Sequence, residues 1–192
     1  MPSFAKGQLG KMEADMGSRD SIKNTLAWYH EMFTENCFTG SAGGPVRYSI
    51  SNRSADAGMV IVVSGRTEYI EKYAQVCRDL DDIGFSFCLY DHFGQGKSGR
   101  QLEDIQKGHI DSFDTYVNDL RTLVEDIVIP ACGTPVYLLA HSMGCTASIL
   151  YVSENPGIVE GLVLSSPMLQ INTGILFRPS LLEVVSGLVC GL

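Results

Sequence analysis

The sequence is poor in basic residues. It contains 14 Lys and Arg against 22 Asp and Glu over 192 residues, which gives a formal net charge of −8 and an isoelectric point near 4.9. Nucleic-acid partners are held by clustered Lys and Arg that neutralise phosphates, and no basic stripe runs along this chain. The composition therefore excludes a nucleic-acid-binding function.

Long uninterrupted apolar runs are missing as well. Residues 1–19 contain no apolar core of signal-peptide length, and the most apolar late stretch, Gly174–Leu192, is interrupted by charged residues and a proline. A helix that spans a membrane needs about 20 consecutive, predominantly apolar residues. We therefore expect a cytoplasmic protein without a membrane span.

The cysteines form no C-x-x-C pair. They lie far apart in the chain, at Cys37, Cys77, Cys88, Cys132, Cys145 and Cys190. Zinc sites commonly take their ligands from closely spaced pairs, so this spacing disfavours a zinc site. Several of the cysteines sit in apolar runs, which is typical of buried thiols in a reducing compartment.

One stretch that is present, Thr134–Val152, combines a strand pattern and a helix pattern around Ser142. The apolar run Val136–Ala140 predicts a buried strand, and a helix-compatible run follows the serine. A serine on such a sharp strand-to-helix turn forms a nucleophile elbow, in which the hydroxyl stands clear of the backbone. The tight turn needs small residues two before and two after the serine, and Ala140 and Gly144 supply them. This pattern predicts Ser142 as a catalytic nucleophile.

Strand and helix patterns alternate over most of the chain. The continuous apolar run Met59–Val63 predicts a strand covered on both faces, and Phe85–Tyr90 and Gly161–Ser165 predict two further strands. The other predicted elements are helices over residues 20–33, 68–83 and 113–127 and a half-exposed strand through Val46, Tyr48 and Ile50. The alternation predicts one α/β domain with a mostly parallel sheet and flanking helices.

Four motifs follow one another in a fixed order. They are VSGRTE at Val63–Glu68, DHFGQGKSGR at Asp91–Arg100, the pair Gly108–His109, and AHSMG at Ala140–Gly144. Together they resemble the α/β-hydrolase branch of the monoacylglycerol lipases and bacterial lysophospholipases, and the first two are most similar to the lysophospholipases. The resemblance covers roughly residues 40–169. It implies a serine hydrolase of the α/β-hydrolase fold that needs no metal or organic cofactor.

The chain departs from the family's pattern at four positions. Ala140 and Cys145 stand where the family usually has glycine, and Phe93 stands where an arginine is common. Most lipases of the branch have His-Gly where this chain has Ser64 followed by glycine. None of these differences removes the nucleophile.

The resemblance assigns roles to five residues. Ser142 is the nucleophile, and the backbone N–H groups of Met143 and Arg66 form the oxyanion hole, Met143 because it directly follows the nucleophile. His141 and Gly65 are assigned to the substrate-binding site. For Arg66, an alternative is a surface arginine in a turn, and contact of its side chain with a lysophospholipid phosphate is a further hypothesis.

The remaining polar candidates receive structural roles. His92 and His109 lie in loops of the family pattern, and His30 lies on the predicted N-terminal helix. Asp91 opens the glycine-rich loop, where a carboxylate most often accepts hydrogen bonds from loop N–H groups. We assign none of them to catalysis.

A downstream acid and base are missing. α/β-Hydrolases place their triad in the order Ser, Asp or Glu, then His, but this chain has neither Asp nor His after Ser142. We therefore expect an N-terminal fragment that is inactive as given and truncated before the last strands, with the Gly161–Ser165 strand left as an unpaired edge. An apolar helix is predicted from Ser180 onward. The resemblance implies that it begins a cap, and a buried core helix is the alternative.

These observations predict an N-terminal lead-in and packing helix over residues 1–39, a hydrolase core over 40–170 and the start of a cap over 171–192. The predicted function is cleavage of the carboxylic ester of a monoacyl lipid through an acyl-enzyme. Alternatives are a monoacylglycerol lipase, a general carboxylesterase or a non-catalytic hydrolase-like binding protein. Peripheral contact with the inner membrane is expected from the lipid substrate, and the oligomeric state stays open.

Overall fold

The first described element is a helix. The computed structural model describes residues 21–53, 57–132 and 135–169. Helix α1 covers residues 21–32, in agreement with the helix predicted over 20–33. Tyr29 on this helix is fully buried, whereas Ile22 is 56% exposed. The predicted apolar face is therefore covered mainly towards its C-terminal end.

Six strands form one sheet. Their bounds are β1 Phe33–Thr39, β2 Pro45–Ser51, β3 Met59–Val63, β4 Ser86–Tyr90, β5 Val136–His141 and β6 Gly161–Ser165. The strand order is β1-β2-β4-β3-β5-β6. The β1–β2 and β2–β4 pairs are antiparallel, and the pairs β3–β4, β3–β5 and β5–β6 are parallel. The predicted α/β class with a mostly parallel sheet is confirmed.

Helices connect the parallel strands. They are α2 Ala74–Asp81, α3 Asp114–Thr122, α4 Ile129–Cys132 and α5 Met143–Glu154; a 3-10 turn at Ile70–Tyr73 precedes α2, and a π-helical segment at Leu123–Val128 joins α3 to α4. The helices predicted over 68–83 and 113–127 are thus confirmed, with ends that differ by a few residues. Gly84 follows α2 with a φ of 87°, a left-handed conformation in which the helix cannot continue.

Apolar cores cover both faces of the sheet. Ile61 and Val63 of β3 belong to a core that includes residues of α3 and α5, whereas Val60 and Val62 belong to a second core that includes residues of α1 and α2. Successive side chains of a strand point to opposite faces, so a strand between two helical layers must be apolar at every position. All five residues of β3 are buried, as predicted.

The sequence pattern does not predict β1. Residues 34–37 of this strand are exposed, so no apolar alternation marks it. It lies at the edge of the sheet and pairs with β2, with Phe33 opposite Ser51 and Thr39 opposite Pro45. Phe33, which the spacing assigns to the helix, begins the strand instead. Residues 33–39 therefore belong to the sheet.

The half-exposed pattern predicted for β2 is wrong. Val46 is fully buried as expected, but the polar neighbours Arg47 and Ser49 are buried as well, at 7% and 0% exposure. A strand that buries both alternating sets of side chains cannot present one set to solvent. The apolar alternation predicts the strand correctly, but it does not predict the burial of the polar side chains.

Arg47 is buried because acidic groups surround it. Its guanidinium lies 3.0 Å from an oxygen of Asp91 and 2.9 Å from one of Glu71, and it also pairs with Glu35 on β1. A buried charge is tolerated when it is paired and hydrogen-bonded in this way. The cluster joins the β1–β2 pair to the 3-10 turn before α2 and to the loop after β4.

The edge predicted at the last strand is present among the described strands. There β6 pairs with β5 alone, and Val163 is 60% exposed. The lead-in over 1–19, the cap region over 171–192 with its predicted helix from Ser180, and Cys190 lie outside the described residues.

Several cysteines are buried, as predicted. Cys77, Cys88 and Cys145 are each fully buried. Burial raises the pKa of the Cys77 thiol to about 12, because the thiolate would lose its hydration. In the described ranges, no helix is long and apolar enough to cross a membrane.

Candidate active site

Ser142 stands on a sharp turn between strand and helix. β5 ends at His141 and α5 begins at Met143, so a single residue makes the change of direction. Its φ of 51° and ψ of −114° are rare for a residue with a side chain. Strained conformations of this kind persist where the surrounding structure fixes them, and they cluster at functional sites. The geometry is that of the predicted elbow.

Small residues allow this turn to form. A Cβ atom added to Gly144 would lie 2.2 Å from the Val63 carbonyl oxygen and 2.5 Å from that of Ser64. Both distances are far below van der Waals contact, and both atoms belong to the backbone. Ala140 is fully buried in the core that contains α3 and α5, so its methyl group is accommodated. A small residue is therefore required two positions after the serine.

Backbone hydrogen bonds hold the turn in place. The Ser142 N–H donates to the Ser165 carbonyl at 3.0 Å, at the end of β6. The Ser142 carbonyl accepts from the N–H groups of Cys145 and Met168, each at 3.1 Å. The strand beside β5 and its exit loop thus fix the strained conformation of the serine.

The loop after β3 lies against the serine. A Cβ atom added to Gly65 would lie 3.1 Å from Ser142 Cβ and 3.2 Å from His141 Nδ1, so glycine allows this close approach. The Gly65 N–H donates to Glu68 at 2.6 Å, and the Thr67 N–H donates to the side-chain oxygen of Gln95. The predicted site residues Gly65, His141 and Ser142 are therefore brought together.

The two backbone N–H groups predicted for the oxyanion hole belong to Arg66 and Met143. Among the described residues, no acceptor is recorded for the N–H of Arg66 or for the N–H of Met143. Arg66 lies between two residues whose N–H groups are engaged, and its side chain is exposed. Met143 is buried at the first position of α5, where a helical N–H has no partner within the helix. Two such donors suit an oxyanion hole.

Glu68 is a residue of this site whose contacts sequence reasoning missed. Its carboxylate contacts Lys72, the Tyr73 hydroxyl at 2.5 Å and His141 Nδ1 at 3.0 Å, in addition to Gly65. Burial raises the pKa of Glu68, but these hydrogen bonds outweigh burial and hold its pKa at about 2. The only sequence signal was its position in the VSGRTE motif.

His92 contacts the loop after β3 from within the core. It is fully buried, and its Nε2 lies 2.9 Å from the Ser64 carbonyl oxygen. Burial lowers the pKa of His92 to about 4, so the imidazole is neutral at pH 7 and Nε2 donates to the carbonyl. The structural role predicted for His92 is consistent with these contacts.

Asp91 organises the glycine-rich loop, as predicted. Its carboxylate accepts hydrogen bonds from the backbone N–H groups of Ile70 and Lys97, each at 2.9 Å. Gly96 packs against it with a φ of 50°, and a Cβ atom there would lie 2.2 Å from the Asp91 carboxyl carbon. The loop therefore wraps tightly around a buried carboxylate.

The serine hydroxyl has no base beside it in the described part of the chain. None of the described residues forms a hydrogen bond with the Ser142 hydroxyl. His141 contacts Glu68 instead, and His92 contacts the Ser64 carbonyl. His109 contacts the exposed Asp111. Activation of the serine thus requires a group that these residues do not supply.

Comparison with protein families gives one match that covers more than half of the chain. A family model described as "Serine aminopeptidase, S33" matches residues 54–190. The match includes the loop after β3, the glycine-rich loop and the strained serine.

Curated relatives match the same part of the chain. "Lysophospholipase L2" of Escherichia coli K12 is 38% identical over 134 residues, which make up 70% of this chain and 39% of that protein. Human "Monoglyceride lipase" is 31% identical over 114 residues, 59% of this chain and 36% of the relative. The chain spans about two fifths of the length of these relatives. The resemblance to the lysophospholipase and monoacylglycerol lipase branch is confirmed.

Solved structures share the fold. A thermostable carboxyl esterase from Bacillus coagulans aligns with a TM-score of 0.62 at 24% identity, over 83% of this chain and 51% of the esterase. A thioesterase domain from the curacin biosynthetic pathway aligns with a TM-score of 0.64 at 18% identity, over 81% of this chain and 51% of that domain.

Proposed function

Because the chain belongs to the α/β-hydrolase family described as serine aminopeptidase, S33, we propose that it carries the nucleophile and oxyanion hole of a serine ester hydrolase. The observation that carries this proposal is the strained turn at Ser142. On this turn the Met143 N–H directly follows the serine, and the loop that contains Arg66 approaches the serine at Gly65. Neither N–H group has an acceptor among the described residues. Such donors stabilise the charge that develops on a carbonyl oxygen during acyl transfer.

The proposed reaction proceeds through an acyl-enzyme. The Ser142 oxygen attacks the ester carbonyl while a base takes its proton, and the oxyanion of the tetrahedral intermediate is held by the two N–H groups. Collapse of the intermediate breaks the ester bond and releases the alcohol, which takes up the proton. Water then attacks the acyl-serine and releases the fatty acid.

The base of this reaction is proposed to come from a longer chain. After Ser142 the sequence contains neither Asp nor His, and a serine hydroxyl is a poor nucleophile without a base in hydrogen-bond reach. We expect the 192 residues alone to be inactive. The coding region beyond Leu192 tests this directly. If no Asp and His follow there, a non-catalytic hydrolase-like binding protein becomes the better account.

The proposed substrate is a monoacyl lipid, and a lysophospholipid in particular. Two features support this choice. The relative named a lysophospholipase shares 38% identity with this chain, against 31% for the monoglyceride lipase. The exposed Arg66 directly follows Gly65, which lies close to Ser142. A substrate of this kind resides in membranes. The proposal therefore includes a cytoplasmic protein in peripheral contact with a membrane surface.

A hydrolysis assay on the longer chain tests the proposal. Release of fatty acid should be measured from a lysophospholipid and from a monoacylglycerol of the same acyl chain, with Ser142→Ala as the matched inactive variant. The expected result is Ser142-dependent release with preference for the lysophospholipid. Preference for the monoacylglycerol would assign the protein to the lipases of the branch, and release that survives in Ser142→Ala would overturn the proposed nucleophile.

A further inference from the structure

A polar cavity lies next to the candidate active site. Its volume is about 250 Å³, and its wall is built by the loop after β3 and the glycine-rich loop after β4. Arg66 and Thr67 line it from the first loop, Gln95 from the second, and Tyr116 from α3. We refer to this space as the Arg66 cavity.

The Arg66 cavity is positively charged in an acidic protein. Arg66 and Arg100 lie in its wall, and no Asp or Glu of the described residues lines it. The Arg100 guanidinium is engaged by backbone carbonyls, including those of Gln95 and Gly96 at 3.0 and 2.8 Å. For the Arg66 guanidinium, no ion pair or hydrogen bond is recorded among the described residues. In a chain of net charge −8, this unneutralised cation favours an anionic ligand.

Gln95 connects the glycine-rich loop to the loop that carries Arg66. The residue is 7% exposed, and its oxygen accepts the Thr67 N–H. Its buried side-chain nitrogen has no acceptor in the described structure. Because that nitrogen is buried, it is not presented to the cavity, and the contribution of Gln95 is to fix the loop that carries Arg66.

The loop that carries Arg66 is held in a strained conformation. Thr67, a β-branched residue, has a φ of 61°, which is unfavourable for its side chain. The hydrogen bond from the Thr67 N–H to Gln95 fixes it there. This hydrogen bond therefore connects the two loops that form the cavity wall, and strained residues held in this way cluster at ligand sites.

The cavity is adjacent to the nucleophile. Arg66 follows Gly65 directly, and a Cβ atom on Gly65 would lie 3.1 Å from Ser142 Cβ. The cavity wall therefore begins at the residue next to the one that faces the serine. In a monoacyl phospholipid, a glycerol unit of a few bonds separates the ester from the phosphate. An ester at Ser142 would therefore have its phosphate within reach of Arg66.

From these observations we infer that the Arg66 cavity binds the phosphate of a monoacyl phospholipid headgroup, an inference that rests on the proposed ester hydrolysis at Ser142. The arginine offers a forked pair of N–H donors that match phosphate oxygens, and no carboxylate among the described residues that line the cavity competes for them. The two functions of Arg66 are separable, because the backbone N–H serves the oxyanion and the side chain serves the phosphate.

Ligand binding without turnover tests this inference. The 192-residue chain, labelled with ¹⁵N, is titrated with sn-glycerol 3-phosphate, glycerol and inorganic phosphate while backbone amide signals are recorded. We expect glycerol 3-phosphate to shift the amide signals of Arg66 and Gln95, and glycerol to leave them unchanged. Arg66→Ala should weaken binding of glycerol 3-phosphate roughly tenfold or more. Arg121→Ala is the matched control, since Arg121 pairs with Glu154 outside the cavity.

Three results would overturn the inference. The first is no binding of glycerol 3-phosphate, and the second is equal binding of it by Arg66→Ala and the original chain. The third is tighter binding of inorganic phosphate than of glycerol 3-phosphate, which would assign the cavity to the free anion. Arg66→Glu provides a second variant, in which the reversed charge should abolish binding while circular dichroism reports an intact fold. None of these measurements depends on Ser142. A failure here therefore leaves the proposed ester hydrolysis standing, and Ser142→Ala should bind the phosphate normally.

Discussion

The Glu68 carboxylate lies 3.0 Å from Nδ1 of His141, a residue 73 positions later in the chain. The same carboxylate accepts the Gly65 N–H at 2.6 Å. Glu68 therefore ties the loop after β3 to the end of β5, the two segments that meet at Ser142. We infer that Glu68 is a positioning residue, because it fixes the loop that carries the Arg66 N–H without being placed to touch a substrate itself.

Removal of Glu68 should destabilise the protein. Glu68→Ala leaves the Gly65 N–H and the Tyr73 hydroxyl without their acceptor in a mostly buried site, which should lower the free energy of unfolding by about 1–3 kcal/mol. Glu68→Gln keeps an acceptor oxygen and should lose less. Urea denaturation measures both changes. Glu103→Ala, on an exposed side chain, serves as the control, and a loss in Glu68→Ala no larger than in this control would refute the assigned role.

Relief of the strain at Ser142 should stabilise the chain. Ser142→Gly and Ser142→Ala both remove the hydroxyl, but glycine adopts a φ of 51° without steric cost. We expect Ser142→Gly to be more stable than Ser142→Ala by about 1–2 kcal/mol in thermal or urea unfolding. Equal stability of the two variants would show that the turn stores no strain.

Stability should depend on the protonation of His92. Burial lowers its pKa in the folded state to about 4, from an ordinary value of 6.5. Between these pH values the unfolded chain binds a proton that the folded chain does not, so the free energy of unfolding falls as the pH decreases from 6.5 towards 4. Above pH 6.5 this contribution is fully present and constant.

The His92 effect is isolated by substitution. Between pH 6.5 and 5, His92→Gln should show a shallower dependence of unfolding free energy on pH than the original chain, by up to about 1.4 kcal/mol per pH unit. His30→Gln alters an exposed histidine on α1 and is the control. If His92→Gln and the original chain have the same slope, the buried neutral imidazole is not the cause.

The buried cluster around Arg47 should be a major source of stability. Arg47→Ala leaves the fully buried Asp91 and the largely buried Glu71 without their shared cation, and we expect a loss of about 3–5 kcal/mol in urea unfolding. Arg53→Ala breaks the more exposed Arg53–Asp81 pair and should cost less than about 1 kcal/mol. Similar losses in the two variants would contradict the importance of burial.

Local patterns in the sequence predicted most of the sheet and the turn at Ser142. The runs that form β3, β4 and β5 are apolar at nearly every position, because these strands lie between helical layers. The run that forms β6 also predicts a strand, although β6 is the exposed edge of the described sheet. The requirement for small residues around the serine is also local, and Gly144 meets it for the reason the sequence indicates. These features need no knowledge of distant contacts.

Features that depend on distant partners could not be predicted in the same way. β1 carries exposed polar side chains and is recognisable only through its pairing with β2. Arg47 is buried because Glu35, Glu71 and Asp91 converge on it from three separate segments. The contact of Glu68 with His141 likewise depends on the approach of two loops in the folded chain.

The most direct test of the account is covalent labelling of Ser142. A fluorophosphonate probe is incubated with the 192-residue chain, with the proposed longer chain, which the coding region beyond Leu192 would supply, and with the Ser142→Ala variant of that longer chain. The labelled peptide is identified by mass spectrometry. We predict one probe on Ser142 of the longer chain, none on Ser142→Ala, and none on the 192 residues alone, because the described residues place no base beside the serine. Labelling of another residue, or of Ser142 in the 192-residue chain, would contradict the account.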